Sequence, residues 1–223
     1  MTTRTRRIER RTDALSKQRI IEAAIEILDT DGESALTFRA LAARLATGSG
    51  AIYWHIADKS ELLAAATDAV ITRAMTEVTD AAEPRQAIRV IALALFDAID
   101  AHPWTGAQLF REPWRPAMLQ ILEGIGSRVE ALGVPEKAQF DSWSTLVNYI
   151  LGVAGQNAAN ARLLPPQTDR AALLSTVAAR WTQFTPAESS FVHRVATQLR
   201  EHDDRAQFLA GIDLILAGIE TIR

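Results

Sequence analysis

The sequence predicts an all-α chain, with a small three-helix unit at the N-terminus and a larger helical domain behind it. Two observations carry this prediction. Apolar residues recur at three- and four-residue spacing along nearly the whole chain, whereas alternating strand patterns are almost absent. The periodic stretches are separated by helix-breaking punctuation at Gly32, Pro84, Pro103, Gly133-Val134-Pro135, Pro165-Pro166 and Pro186.

The elements follow in order. Ile20, Ile21, Ala24, Ile25 and Leu28 mark an amphipathic helix over 17–31, stopped at Asp31-Gly32. Thr37 is placed to cap a short helix over 38–45, with Leu41 and Leu45 on one face. Ser49-Gly50 opens a third short helix through Ile56. Asp58 caps a long fourth helix, 59–80, whose buried side holds Leu62, Leu63, Ala66, Val70 and Val78. Further helices are predicted over 85–101, 104–110, 116–131, 136–163, 168–182, 187–200 and 204–221. The domains so defined are a basic flexible arm at 1–15, a three-helix domain at 16–58 and a helical domain at 59–223.

Bulk properties narrow the function. At 223 residues and 48% apolar composition the chain can bury a substantial core. No run approaches the roughly 18 apolar residues of a spanning helix, and no apolar stretch follows the arginine-rich start. A membrane span and a signal peptide are therefore not expected. The absence of cysteine excludes disulfides, Cys-ligated zinc and thiol catalysis, and fits a cytoplasmic protein. The net charge of −3 hides an asymmetry: residues 1–20 carry a local +5, which leaves −8 on the rest. Arg4, Arg6, Arg7, Arg10 and Arg11 supply most of the positive charge of this arm. A polyanion partner and a solubilising tail explain such an arm equally well.

Three short helices, the last two separated by about four residues, form a helix-turn-helix pattern whose final helix enters a DNA major groove. Ile52 and Ile56 supply its packing face. Thr47, Gly48, Ser49, Gly50 and Ala51 make a small leading end able to approach base edges. Tyr53, Trp54 and His55 leave on the outer sides, where a phenol, an indole N–H and an imidazole can donate to phosphates.

On these residues the stretch from Ser16 to Leu63 resembles the DNA-binding domain of the TetR family of bacterial transcriptional regulators. The matching positions are Ile21-Glu-Ala-Ala-Ile-Glu-Ile-Leu28, Gly32, Leu36-Thr-Phe-Arg-Ala-Leu-Ala42, Ala51-Ile-Tyr-Trp-His55, Lys59 and Leu62-Leu63. The resemblance implies phosphate and base contacts at Thr37 and Arg39, and a groove-facing start at Ser49 and Ala51. It implies backbone clamps at Tyr53, Trp54 and His55, and a role for Lys59 at the start of the fourth helix. The chain departs from the tetracycline-repressor branch by carrying Gly48 and Gly50 at the tip. Glycine makes no bidentate base contact, so direct readout falls chiefly on Arg39 and Ser49; an arginine arm reaching an adjacent minor groove, if it serves as more than a solubilising tail, would make up the shortfall.

The last helix carries an apolar ladder, Phe208, Ile212, Ile215, Ile219 and Ile222, with Gly211 and Gly218 beside it. Such a seam suits either a close-packed partner helix or the chain's own core. The twofold reading of a palindromic double-stranded DNA operator calls for a homodimer. The resemblance implies an interface between this helix and that at 136–163, where Phe140, Trp143, Val147, Ile150 and Ala154 are available. Gly211-Ile-Asp-Leu-Ile-Leu-Ala-Gly-Ile219 is similar to the tetracycline-repressor-type C-terminal domain.

The middle helices collect Phe96, His102, Trp104, Phe110, Trp114, Trp143 and Tyr149, with Val147, Asn148 and Leu151 nearby. Such a cluster suits a packed core as well as a pocket; the resemblance implies that these residues line a pocket for a small apolar or aromatic effector. The fourth helix lacks histidine, so neither a metal ion nor tetracycline is expected, and no cofactor is called for. No nucleophile motif, metal-spaced cluster or phosphate loop points to an enzyme. The resulting expectation is a homodimeric repressor released by an effector, with an effector-independent repressor or an activator as alternatives.

Overall fold

The computed structural model describes residues 15–76, 83–163, 169–183 and 186–222. The basic arm, apart from Leu15, and the predicted end of the fourth helix beyond Thr76 lie outside the described residues. The described chain is helical: α1 (Lys17–Thr30), α2 (Phe38–Arg44), α3 (Ser49–Tyr53), α4 (Lys59–Thr76), α5 (Pro84–Ala101), α6 (Thr105–Leu109), α7 (Pro116–Ala131), α8 (Glu136–Leu163), α9 (Arg170–Trp181), α10 (Pro186–Leu199) and α11 (Asp204–Glu220). Among these residues no helix is long and apolar enough to cross a membrane.

Local chemistry sets the boundaries in the N-terminal head. The Ser16 hydroxyl accepts from the Arg19 N–H at 3.3 Å and starts α1. Gly32, at φ +79°, turns the chain after Asp31. The Thr37 hydroxyl accepts from the Ala40 N–H at 3.1 Å and starts α2. At α4 the Asp58 carboxylate accepts from the Glu61 N–H at 2.8 Å. The Glu61 carboxylate reaches back to the Ala57 N–H at the same distance, a near-reciprocal capping arrangement. The third helix is shorter than predicted: α3 ends at Tyr53, and His55 and Ile56 continue it only as a turn bonded to Ile52.

Two apolar cores result, and α4 joins them. The head core gathers Ile20, Ala24, Leu28, Leu36, Leu41, Ile52 and Ile56 with Leu62, Leu63, Ala66 and Val70 of α4. The body core gathers Ile71, also of α4, with residues of α5, α7, α8 and α11. One helix thus contributes to both.

The apolar ladder of α11 faces inward. Phe208, Ile212 and Ile219 are fully or almost fully buried in the body core, with Leu216 beside them, and Ile215 packs against that core. These expected dimer contacts are consumed within the chain; of the ladder, only Ile222 is substantially exposed. Gly211 is likewise an internal fit. A Cβ there would stand 1.8 Å from the Tyr149 hydroxyl and 2.3 Å from its ring. That hydroxyl donates to the Phe208 carbonyl at 3.2 Å, and the Tyr149 ring stacks on Phe208. Charge fixes the rotation of α11 from the other side. Asp213 accepts from Arg89 and Arg85 of α5, and Glu220 pairs with Arg85 at 2.9 Å. The Arg89 guanidinium holds the Asp213 carboxyl below its usual range.

With that rotation, α11 turns Leu214, Ala217, Gly218 and Thr221 outward, and Leu214 is 76% exposed. The neighbouring α8 exposes Thr145, Asn148, Gly152 and Gln156, spaced three or four apart. Of the α8 residues expected at an interface, Val147, Ile150 and Ala154 are buried within the chain. Trp143 is half-buried, its indole N–H donating to the Leu122 carbonyl at 2.9 Å, and Phe140 stays exposed.

Candidate nucleic-acid interface

The head presents α2 and α3 across a turn in which Ala46 takes φ +50°. This left-handed turn position is held by a non-glycine residue, while Gly48 sits at φ −85° as the N-cap of α3. Beyond their own chain neighbours and the adjoining helix backbone, Gly48 and Gly50 have no atom within 4 Å of a Cβ placed on them. Neither glycine is required by the packing or, at Gly48, by the backbone angle. Their effect is to leave the tip of α3 bare.

Behind the tip the aromatic residues stand outward. Tyr53 stacks flat on Phe38, centroids 4.3 Å apart and planes within 3°, yet remains 56% exposed. Trp54 is 89% exposed. An indole left in water forgoes about 1.5–3 kcal/mol of burial typical of a large apolar side chain. Arg39 is exposed on α2, whereas Ser49, Ala51 and His55 are half-buried. The Thr37 hydroxyl is engaged as a cap. Lys59 points elsewhere: its ammonium donates to the Glu33 carbonyl at 2.6 Å and pins α4 to the α1–α2 turn.

The expected effector aromatics do not enclose one cavity. Phe96, Phe208 and Tyr149 stack into a solid column, with centroids 4.7 and 5.7 Å apart. Val147 and Leu151 are buried, Asn148 is exposed on the outer stripe of α8, and Phe110 and Trp114 are exposed around the α6–α7 turn. Trp104 is only 1% exposed and packs into the core of the head. Its indole N–H donates to Asp29 at 2.7 Å, and His102 Nδ1 meets the same carboxylate at 2.9 Å. A carboxylate only accepts, so Nδ1 carries the proton.

Sequence reasoning missed this junction. Asp29 lies 73 and 75 residues from its partners, although one local signal was available. Asp29 stands in the last turn of α1, where the helix dipole disfavours a carboxylate that lacks donors. Further links run from Gln108 to Glu33 at 3.3 Å and from Arg73 to Glu22 at 2.8 Å. Head and body are therefore coupled by polar contacts as well as by α4.

Comparison with known proteins agrees with this geometry. The family profile described as bacterial regulatory proteins, tetR family, matches residues 20–66. That of the tetracyclin repressor-like C-terminal domain matches residues 81–223. The chain belongs to the TetR family. It is a helix-turn-helix transcriptional regulator. A TetR transcriptional regulator from Streptomyces coelicolor is 52% identical, with a TM-score of 0.85 over 94% of this chain and 99% of that one. An HTH-type transcriptional regulator of Saccharopolyspora erythraea is 27% identical over 92% of this chain and 87% of its own length. Mycobacterium smegmatis BioQ, solved with its double-stranded DNA operator, is 25% identical, with a TM-score of 0.63 over 93% of this chain and 99% of that one.

Proposed function

We propose that this TetR-family chain is a homodimeric repressor that binds a palindromic operator and releases it when a small effector occupies the helical body. The observation that carries the DNA-binding reading is the pairing of a bare α3 tip at Gly48 and Gly50 with the outward Tyr53 and Trp54. A helix tip without side chains admits close approach to base edges, and the aromatic donors fix the phosphate backbone beside it. Ser49 and Arg39 supply the base-edge contacts. The arginines of the N-terminal arm add a positive footprint toward phosphates or a minor groove.

The dimer forms through the outward faces of α8 and α11. Asn148, Gly152, Gln156, Leu214, Ala217 and Gly218 are uncharged, and the small Gly152, Ala217 and Gly218 among them let two helices approach closely. This assignment replaces the inward ladder of α11. Two such heads related by a twofold axis meet successive major grooves about 34–36 Å apart. A repressor without an effector is the second reading, and the solid packing of Phe96, Tyr149 and Phe208 favours it over a pocket at that place.

The test is selection from a random double-stranded DNA pool by the purified full-length chain. Enrichment of an inverted repeat is the expected result, with one dimer bound per repeat. Recovery of sequences without twofold symmetry, or of none above background, contradicts the proposal.

A further inference from the structure

A cleft of about 470 Å³ opens between α4 and α5, walled by Val90, Leu93 and Ala94. Arg73, His102 and Arg205 bring nitrogen groups to its lining. Arg205 is committed within the body, binding Asp97 through two contacts at 2.9 and 3.0 Å. The other two are held by the DNA-binding head. Arg73 donates to Glu22 at 2.8 Å, and His102 to Asp29 at 2.9 Å. Glu22 and Asp29 are seven residues apart, so they lie about two turns apart on one face of α1. The head thus covers two of the three donors of this cleft with its own carboxylates, and Asp97 of the cleft wall covers the third.

We infer that the cleft binds a small anion with an apolar body, of the medium-chain or aromatic carboxylate class, in competition with Glu22 and Asp29. This rests on the reading of the chain as an effector-responsive regulator, and it names the class and place of the effector. The volume falls within the range typical of small-molecule sites. Apolar walls receive the ligand body, and the donors of Arg73 and His102 receive its carboxylate. The competitor has little to overcome at Arg73: the Arg73 and Glu22 side chains are 52% and 42% exposed, and exposed ion pairs are weak. A ligand carboxylate at these donors favours the state in which α1 has moved off the body. The reorientation of α1 carries α2 and α3 with it, since all three share the head core. Reciprocity then requires bound operator to weaken the ligand by the same factor as the ligand weakens operator.

The experiment is calorimetric titration of the full-length chain with 2-naphthoate and octanoate, using 2-naphthamide and octanamide as uncharged controls. The titrations are repeated on Arg73→Gln and on Ala94→Phe, which fills the cleft, and thermal melting checks that each variant is folded. The expected result is one site per chain, with at least one acid bound about tenfold or more tighter than its amide. Arg73→Gln, at an exposed position, removes that preference, and Ala94→Phe abolishes binding. Saturating acid lowers affinity for DNA selected by this chain by roughly fivefold or more. Equal binding of acid and amide, or acid binding unchanged in folded Arg73→Gln, overturns the inference. If the chain binds its DNA but no acid releases it, the inference falls and the regulator reading stands. If the chain binds no DNA, the regulator reading falls while the titrations still decide what the cleft binds.

Discussion

The indole N–H of Trp104 donates to the Asp29 carboxylate at 2.7 Å, joining the turn before α6 to the last turn of α1. Trp104 comes from the body sequence yet is buried in the core of the head, so the bond lies where the two meet. His102 adds a second donor to the same carboxylate. Asp29→Ala leaves the buried indole N–H without a partner, which costs about 1–3 kcal/mol. Urea unfolding is expected to show that loss, and the cost of Trp104→Phe to be smaller in the Asp29→Ala background than in the wild type. An Asp29→Ala variant as stable as the wild type would show that the bond contributes nothing.

The fit of Gly211 against Tyr149 gives a second prediction. Gly211→Ala drives a methyl group into the Tyr149 ring, which must then shift away from its stacking on Phe208 and its bond to the Phe208 carbonyl. Overpacking of this kind costs about 1–3 kcal/mol. Gly218, with open space around it, is the control: Gly218→Ala is expected to leave the stability of the isolated subunit near that of the wild type or to raise it. A lower melting temperature for Gly211→Ala than for Gly218→Ala checks the pair.

The α3 tip separates folding from recognition. Gly50→Ala introduces no clash and replaces a poor helix former inside α3. Stability should stay level or rise by up to about 1 kcal/mol. Affinity for selected DNA should nevertheless fall, because the new methyl group stands on the surface proposed to approach the bases. Thermal melting and fluorescence anisotropy on the same preparation separate the two effects.

Two carboxylates give acid sensitivity with a definite sign. The Ala57 N–H and Lys17 hold Glu61 below the ordinary glutamate value, and Arg89 does the same for Asp213. A depressed folded-state pKa adds stability above the unfolded value, and that stability is lost as pH falls through the folded one. Both contributions are therefore complete near neutrality and fade below about pH 4. The melting-temperature gap between wild type and Asp213→Asn should be widest near pH 6–7 and narrow toward pH 3. A gap that widens on acidification contradicts the assignment.

Much of this architecture was legible because the signals are local. Thr37 and Asp58 announce helix starts by residue type, and three- and four-residue periodicity marks the long helices. The orientation of α11 was not legible. Phe208, Ile212 and Ile219 form the same ladder whether they meet a partner or their own core. The choice is made by Tyr149 against Gly211 and by Arg89 on Asp213, both distant in sequence. Trp104 and His102 were legible as a concentration of aromatic and polar chemistry, but their partner on α1 was not. The site tip was legible through its small residues, but the left-handed turn at Ala46 carried no glycine to mark it.

The α2–α3 head is proposed to bind operator DNA as a dimer. The most direct test is fluorescence anisotropy of labelled DNA from immediately upstream of this gene, titrated with full-length chain at about 50 and 200 mM salt. The expected result is two chains per duplex, specific binding between about 10⁻⁸ and 10⁻¹¹ M near physiological salt, and much weaker binding to a scrambled duplex. A steep loss of affinity between the two salt concentrations is also expected. No anisotropy change at about 50 mM salt, or equal affinity for the scrambled duplex, would contradict the proposal.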